Sequence, residues 1–370
     1  MCEKPFRRGC TQHLYMVYSA YEHWCFCQHK VSMFYNFDKL FSYPDWLIAM
    51  VIGGRGIGKT FNAKLCVLKK FLKTGEQFIY LRRYKTELDS ALYTFWDDLQ
   101  ANDYFKDHVL KVQKNKMITK FTCDGEVCGY AVPLSTANIL KSTAFPKVKT
   151  IIFDEFVLDI AAGTYKYMRN EPEMLLDVIE TIGRLRDIQV IMLGNNVNFY
   201  GSPYVAYWNL ELPYNSEFRT FKDGLIIVNY VNNEEYQKKK KETKFGRLID
   251  NSTYGDYAIL NKSLRETDSF IAKRPSDSRF EGLLIVNGVN IGVWVSSEGN
   301  CYLSDKYDPN VVVKFACDFD DHTEQTVFLN ARENPLLKIV IRCWRNGWLR
   351  FENPKIKTAG MTILNKCLSI

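Results

Sequence analysis

Residues Gly53-Gly-Arg-Gly-Ile-Gly-Lys-Thr60 match the phosphate-binding pattern G-x-x-x-x-G-K-[ST] without substitution. The pattern works only in one local context. Glycines let successive backbone N–H groups turn inward around phosphate oxygens, the lysine reaches the β- and γ-phosphates, and the hydroxyl residue binds Mg2+. That context is a buried strand before the loop and a helix after it. The flanking residues meet it. Trp46 to Ile52 is an apolar run that reads as a buried strand, and Phe61 to Phe71 has helical spacing. The phosphate-binding set is therefore Gly53, Gly54, Arg55, Gly56, Ile57, Gly58, Lys59 and Thr60. Arg55 is unusual as a second cation inside the loop, facing either the phosphates or solvent.

A second apolar run, Lys149-Thr-Ile-Ile-Phe-Asp154-Glu155, ends in two carboxylates. After a phosphate loop this is the metal-binding strand, with Asp154 in the Mg2+ shell and Glu155 as general base toward water. A kinase has no need of a water-activating glutamate here, so the pair favours hydrolysis over small-molecule phosphorylation. A GTPase-like switch would carry Asn-Lys-x-Asp for base reading, but Asn261-Lys-Ser-Leu264 has leucine where aspartate is needed. The cofactors expected are ATP and Mg2+.

At 370 residues the chain is long enough for two domains, and 46% hydrophobic with 25% charged residues is the composition of a globular protein. The formal charge of +7 favours an anionic partner such as nucleic acid, weakly. No uninterrupted apolar run reaches spanning length, and no signal peptide is visible, so no membrane is expected and the cytoplasm is. The eleven cysteines then read as reduced thiols. Cys2, Cys10, Cys25 and Cys27 with His13, His23 and His29 form a local cluster without a C-x2-C pair, which reads as an extension with free thiols ahead of a zinc site.

From Phe34 to about Phe221 strands and helices alternate as in an α/β sheet. Gln77 to Leu81 is a strand running into the basic, aromatic cluster Arg82-Arg83-Tyr84-Lys85. Lys116 to Val132 reads as a hairpin turning at Asp124-Gly125. Met174 to Ile182 is an amphipathic helix, and Ile188 to Leu193 a strand ending in Gly194-Asn195-Asn196. Asn195 is placed to touch the γ-phosphate or attacking water, or to cap the strand end. Arg184 and Arg186 lie in the turn before that strand, where an arginine can act as a finger in a neighbouring subunit's site or sit as a surface residue. Lys141 precedes the metal-binding strand and faces a ring channel, a neighbouring site or solvent. Lys238, Lys239, Lys240, Lys241 and Lys244 form a charge run on a helix, either a solvated face or a nucleic-acid contact. Beyond Phe270, the runs Gly282–Val295, Cys301–Ser304 and Val311–Phe315 and a helix from Leu336 to Phe351 suggest an antiparallel-rich α+β domain.

Several blocks go beyond a generic phosphate-loop protein. They are Met33–Asn36, Val51–Thr60, Gly75–Lys85 with its Arg-Arg-Tyr-Lys, Ile152–Phe156, Phe245-Gly-Arg-Leu-Ile-Asp250 and Gly292–Val295. On these the chain resembles the DNA-packaging (encapsidation) ATPases of small short-tailed bacteriophages, the Picovirinae or phi-twenty-nine group. The resemblance covers most of the chain beyond the first thirty or so residues. It implies an α/β P-loop NTPase domain of ASCE type, a short helical linker domain and a C-terminal α+β domain like a degenerate RNase H nuclease. The corresponding boundaries are 1–33 for an extension, 34–234, 235–267 and 268–370. It implies a homopentameric ring at the portal vertex of an empty capsid in the host cytoplasm, moving double-stranded DNA. It also implies Arg184 as the trans-acting arginine. Some members add a structural packaging RNA. The group implies no DNA cleavage, whereas a terminase-like reading would gather Asp305, Asp308, Asp318, Asp320 and Asp321 around metals.

Overall fold

A computed structural model describes residues 33–115, 118–159, 162–213, 216–264, 269–317, 319–328 and 334–368. The cysteines and histidines of the first thirty residues, and Asp318, lie outside the described residues. Among the described residues, nine strands form one sheet in the order β3-β4-β5-β2-β6-β7-β1-β9-β8. They are β1 Ile48–Ile52, β2 Gln77–Arg82, β3 Leu110–Gln113, β4 Thr119–Cys123, β5 Glu126–Pro133, β6 Val148–Asp154, β7 Gln189–Gly194, β8 Phe218–Phe221 and β9 Ile226–Tyr230. The six strands from β5 through β9 in that order pair in parallel. All five residues of β1 are buried. A strand covered on both faces reads as a continuous apolar run, which is why Ile48 to Ile52 was recognisable.

Alternation divides that strand between two cores. Ile48, Met50 and Ile52 enter one apolar cluster with the helix Glu171–Gly183, while Ala49 and Val51 enter the other with the helix Lys59–Thr74. Strand β7 lies between β1, which ends in the phosphate loop, and β6, which ends in Asp154. The parallel register Ile52 with Gly194 and Asp154 with Leu193 brings all three strand ends to one edge. The predicted hairpin is present as β4 and β5, with Asp124 (φ 52°) and Gly125 (φ 86°) at the turn.

Three short helices follow the large sheet: Glu234–Glu242, Lys244–Ile249 and Thr253–Leu260. Asn233, Thr243 and Ser252 cap them, each side chain accepting a backbone N–H. A second sheet contains β10 Arg279–Val286, β11 Val289–Val295, β12 Cys301–Ser304, β13 Lys314–Ala316, β14 Thr326–Phe328 and β15 Leu349–Phe351. Their order is β14-β13-β10-β11-β12-β15. Helices Pro335–Arg345 and Pro354–Leu368 share a core with it.

Three expectations for this region change. The run Gly282–Val295 is two strands joined at Asn287-Gly288, both with positive φ, the turn that an antiparallel ribbon's twist favours. The sheet is mixed, because β13, β14 and β15 each pair in parallel. The helix from Leu336 stops at Arg345, and Arg350 lies on β15. Gly347, at φ 72°, turns the chain after the helix and frees Leu349 and Phe351 to enter the core.

Cys66, Cys123, Cys128, Cys301, Cys317 and Cys343 are free thiols. Among the described residues no helix is long and apolar enough to cross a membrane.

Candidate nucleotide site

The phosphate loop leaves β1 and turns into Lys59–Thr74 through Gly56 (φ 87°) and Gly58 (φ 89°), a backbone region closed to ordinary side chains. Ile57 is buried, anchoring the loop, and its carbonyl accepts the Tyr35 N–H at 2.9 Å. Lys59 Nζ donates to the Gly53 carbonyl at 2.8 Å, the Gly54 carbonyl at 3.0 Å and Asn195 Oδ1 at 3.0 Å. Burial pushes its ammonium down to about 8, opposed by the Asp154 and Glu155 charges. Thr60 Oγ1 donates to Asp154 at 3.1 Å. Both groups are hard oxygen donors meeting at one point, the set that suits Mg2+. Lys59, Thr60, Asp154 and Asn195, with Arg55, Glu155 and Gly194, line a cleft of about 260 Å³.

Around Asp154 are two side chains that sequence reasoning left without a role in the site. The Tyr80 hydroxyl donates to Asp154 Oδ2 at 2.9 Å, and Arg82 Nε donates to the Tyr80 hydroxyl at 3.1 Å. Burial, reinforced by Asp154, pushes the Tyr80 phenol well above its usual range, so it remains a donor. Arg82 also pairs with Glu155 at 2.6 Å. Glu155 sits at φ 58°, and its side chain is half exposed at the cleft. A signal was available: Tyr80 and Arg82 are two apart on a strand and so share a face.

Arg83 points the other way. It is 1% exposed and pairs with the fully buried Glu171 at 2.8 Å, while donating to the Glu155 and Phe156 carbonyls at 3.2 and 2.8 Å. Glu171 accepts in addition from the Tyr204 hydroxyl and the Met168 N–H, each at 2.9 Å. Of the basic, aromatic cluster Arg82–Lys85, Arg83 is therefore internal. Glu171→Ala leaves Arg83 charged and uncompensated in the core and is expected to destabilise the protein by about 3–5 kcal/mol. Denaturant titration of the two forms measures it. A loss below about 1 kcal/mol, the value of an exposed pair, would show that the ion pair is not holding the segment after β6.

Asn195 is the Lys59 acceptor. Its neighbour Asn196 donates to the Asn261 carbonyl at 2.7 Å, and Asn261 donates to the Val231 carbonyl at 2.9 Å. The end of β7 is thus tied to the end of helix Thr253–Leu260. The helix Glu234–Glu242 lies on the phosphate loop. Lys240 Nζ donates to the Arg55 carbonyl at 2.8 Å and the Ala258 carbonyl at 2.7 Å, and the Tyr236 hydroxyl donates to the Arg55 carbonyl at 3.3 Å. Lys240, read as part of either a solvated face or a nucleic-acid contact, is thus half-buried and holds carbonyls of its own chain. Lys239 pairs with Glu235 at 3.1 Å, and Lys238 is exposed.

Arg184 is exposed at the end of helix Glu171–Gly183. This 13-residue helix leads away from the Asp154 end of β6 to the start of β7. It is about 20 Å long, so Arg184 lies near the sheet edge opposite its own phosphate loop. Arg186, two residues on, is held by its own chain. Its guanidinium donates to the Phe145 carbonyl at 2.9 Å and Val148 at 3.3 Å, and also to Pro146 and Ile182. It pins this turn to the segment before β6. Lys141 is exposed and pairs with Asp177 at 3.3 Å on that helix.

In the second sheet, Asp305 accepts from Asn353, Asp308 from the Asn310 N–H, Asp320 pairs with Arg169, and Asp321 accepts the Gly288 N–H. Among the described residues no three of them converge as metal ligands.

Known proteins resemble this chain in sequence and fold. The family model described as Podovirus DNA encapsidation protein (Gp16) matches residues 29–368. The DNA packaging protein of Bacillus phage phi29 is 36% identical over 338 residues, 90% of this chain and 98% of that protein. Its counterpart in Bacillus phage B103 is 34% identical over 325 residues, 87% of this chain and 98% of that protein. A solved structure of the bacteriophage Phi-29 viral genome packaging motor assembly aligns with a TM-score of 0.71 at 33% identity, covering 91% of this chain and all of that one. The Phi-28 gp11 DNA packaging motor aligns at a TM-score of 0.59 and 24% identity, over 91% of this chain and 98% of the other, and shares the fold. With the match running from residue 29 to 368, across the phosphate loop, the three short helices and both sheets, the chain belongs to the podovirus DNA encapsidation protein (Gp16) family.

Proposed function

We propose that this protein is an ATP-hydrolysing motor that drives double-stranded phage DNA into a preformed capsid through its portal. The observation that carries this is the convergence of Lys59, Thr60, Asp154, Glu155 and Asn195 on one cleft, in a chain 36% identical to a DNA packaging protein. The strand between the loop strand and the Asp154 strand supports an ASCE-type NTPase. We assign residues 34–234 to this domain, 235–267 to a helical linker, and 268–370 to an RNase H-like domain without nuclease activity; residues 1–33 are an extension. The two relatives described as packaging motors favour a ring of subunits on the capsid, which the resemblance gives as five, acting in the host cytoplasm with a structural RNA in some members.

In this reading the inward N–H groups of Gly53 to Gly58 cradle the phosphates and Lys59 offsets their charge. Bound Mg2+, held by Thr60 and Asp154, would neutralise the oxygens of the β- and γ-phosphates. Glu155 takes the proton of the attacking water, and Arg82 fixes its carboxylate at the mouth of the cleft. Asn195 detects whether Lys59 has left it for the γ-phosphate, and Asn196 passes that change to Asn261 of the linker. Arg184 reaches a neighbour's γ-phosphate.

Glu155→Gln tests the reading. The amide keeps shape and hydrogen bonding but accepts no proton, so ATP binding is expected to persist while turnover and DNA packaging fall by about 10²–10⁴-fold. Equilibrium nucleotide binding, single-turnover hydrolysis and DNA protection inside capsids measure the three. Wild-type hydrolysis would remove the base assignment; hydrolysis lost with packaging retained would remove the motor.

A further inference from the structure

We infer that the turn Arg184–Leu185 is a docking element that seats on the linker helices of a second copy of this chain, with Leu185 packing on the apolar face formed by Phe245, Leu248 and Tyr254. The inference rests on the trans-acting reading of Arg184 and adds the surface that would guide it.

The turn is built to project. Leu185 has 103% relative exposure, and a fully exposed leucine between two arginines is not explained by this chain's own core. Arg184 adopts φ 52° and ψ −110°, a conformation that costs free energy for a residue with a side chain. The arginine that follows holds it there: Arg186 donates to four backbone carbonyls, three of them in the segment Phe145–Val148. Gly183 packs beneath, where an added Cβ would meet Ile188 at 3.4 Å. A cation and a leucine are thus presented on a rigid support, which keeps the ordering cost of association low.

The receiving face is exposed too. Leu248 is 80%, Phe245 50% and Tyr254 41% exposed. Phe245 and Leu248 lie one turn apart on one helix, and the Phe245 ring meets Tyr254 edge-on at 6.4 Å. The face borders the nucleotide cleft. The Ala258 carbonyl lies 3.8 Å from where a Gly54 Cβ would be, and Tyr257 stands against Tyr254 with ring centroids 5.8 Å apart. A second copy whose Leu185 rests here brings its Arg184 toward Asp154, Glu155 and bound phosphate, where the charges are complementary. The two surfaces are different and lie toward opposite ends of the sheet. The contact is therefore head-to-tail, the kind that closes into a ring.

Full-length protein with ATP and DNA is to be examined by sedimentation and by turnover as a function of protein concentration. Leu185→Lys and Leu248→Asp are each expected to raise the concentration for half-maximal turnover at least tenfold and to shift the protein toward monomer, with nucleotide binding by isolated chains unchanged. The double variant places Lys against Asp and is expected to recover assembly. The proposal is overturned if either single variant assembles like wild type, if the double variant recovers nothing although each chain still binds nucleotide, or if wild-type turnover per chain does not depend on concentration. Assembly lost in Leu185→Lys while Arg184→Ala hydrolyses normally would keep the docking surface and remove the trans arginine.

Discussion

Arg184→Ala is expected to lower ATP turnover by about 10³–10⁵-fold while leaving ATP affinity nearly unchanged, because an arginine finger contributes chiefly in the transition state. The position of the residue sharpens the expectation. A helix of about 20 Å separates it from the acidic end of β6, so it has no route to its own γ-phosphate. Complementation measures this directly. Arg184→Ala subunits keep an intact phosphate loop, and Lys59→Ala subunits keep the arginine, so mixing two inactive proteins should restore hydrolysis where an Arg184 faces an intact loop. If mixed rings form and stay inactive, the assignment in trans is wrong. Arg186 would then be the next candidate, and it would have to release the four carbonyls of its own chain that its guanidinium holds.

Lys59→Ala is expected to abolish turnover and to weaken ATP binding, by several kcal/mol of combined ground- and transition-state stabilisation. The lysine is buried with three oxygen acceptors, and phosphate would replace them as the partner of its charge. A pH dependence accompanies it. With the ammonium held down to about 8 by burial, the free protein is increasingly neutral at this site as pH approaches 8 and mostly neutral above it. Triphosphate favours the charged form, so binding takes up a proton and affinity falls as pH rises past about 8. Nucleotide titrations in buffers of different ionisation enthalpy detect that proton. Near-wild-type turnover in Lys59→Ala would sink the whole phosphate-loop assignment.

Much of the site was legible because it is local. Gly53 to Thr60 has its conformation written in glycine spacing, and Ile48–Ile52, Ile151–Phe153 and Val190–Leu193 read as strands because burial on both sheet faces makes every position apolar. The carboxylates Asp154 and Glu155 were visible as the polar end of such a run. The C-terminal strands were harder. β13 to β15 are three residues each: the run Val311–Phe315 overlapped only Lys314 and Phe315 of β13, β14 was not read, and β15 was absorbed into the preceding helix.

Residue pattern alone was enough for the backbone of the phosphate loop, the central strands and the family. The tertiary structure alone decided which charges meet. Arg82 and Arg83 are neighbours in sequence with opposite fates. Strand alternation turns one to Asp154 and Glu155 in the cleft and the other to Glu171 in the core. Lys240 looked like part of a solvated run and instead sits on the loop that carries Arg55. An ionised side chain takes its role from the nearest opposite charge or carbonyl. For Arg83 that partner is Glu171, 88 residues away, and for Lys240 the Arg55 carbonyl, 185 residues away, separations that only the folded sheet and its overlying helices bring to contact.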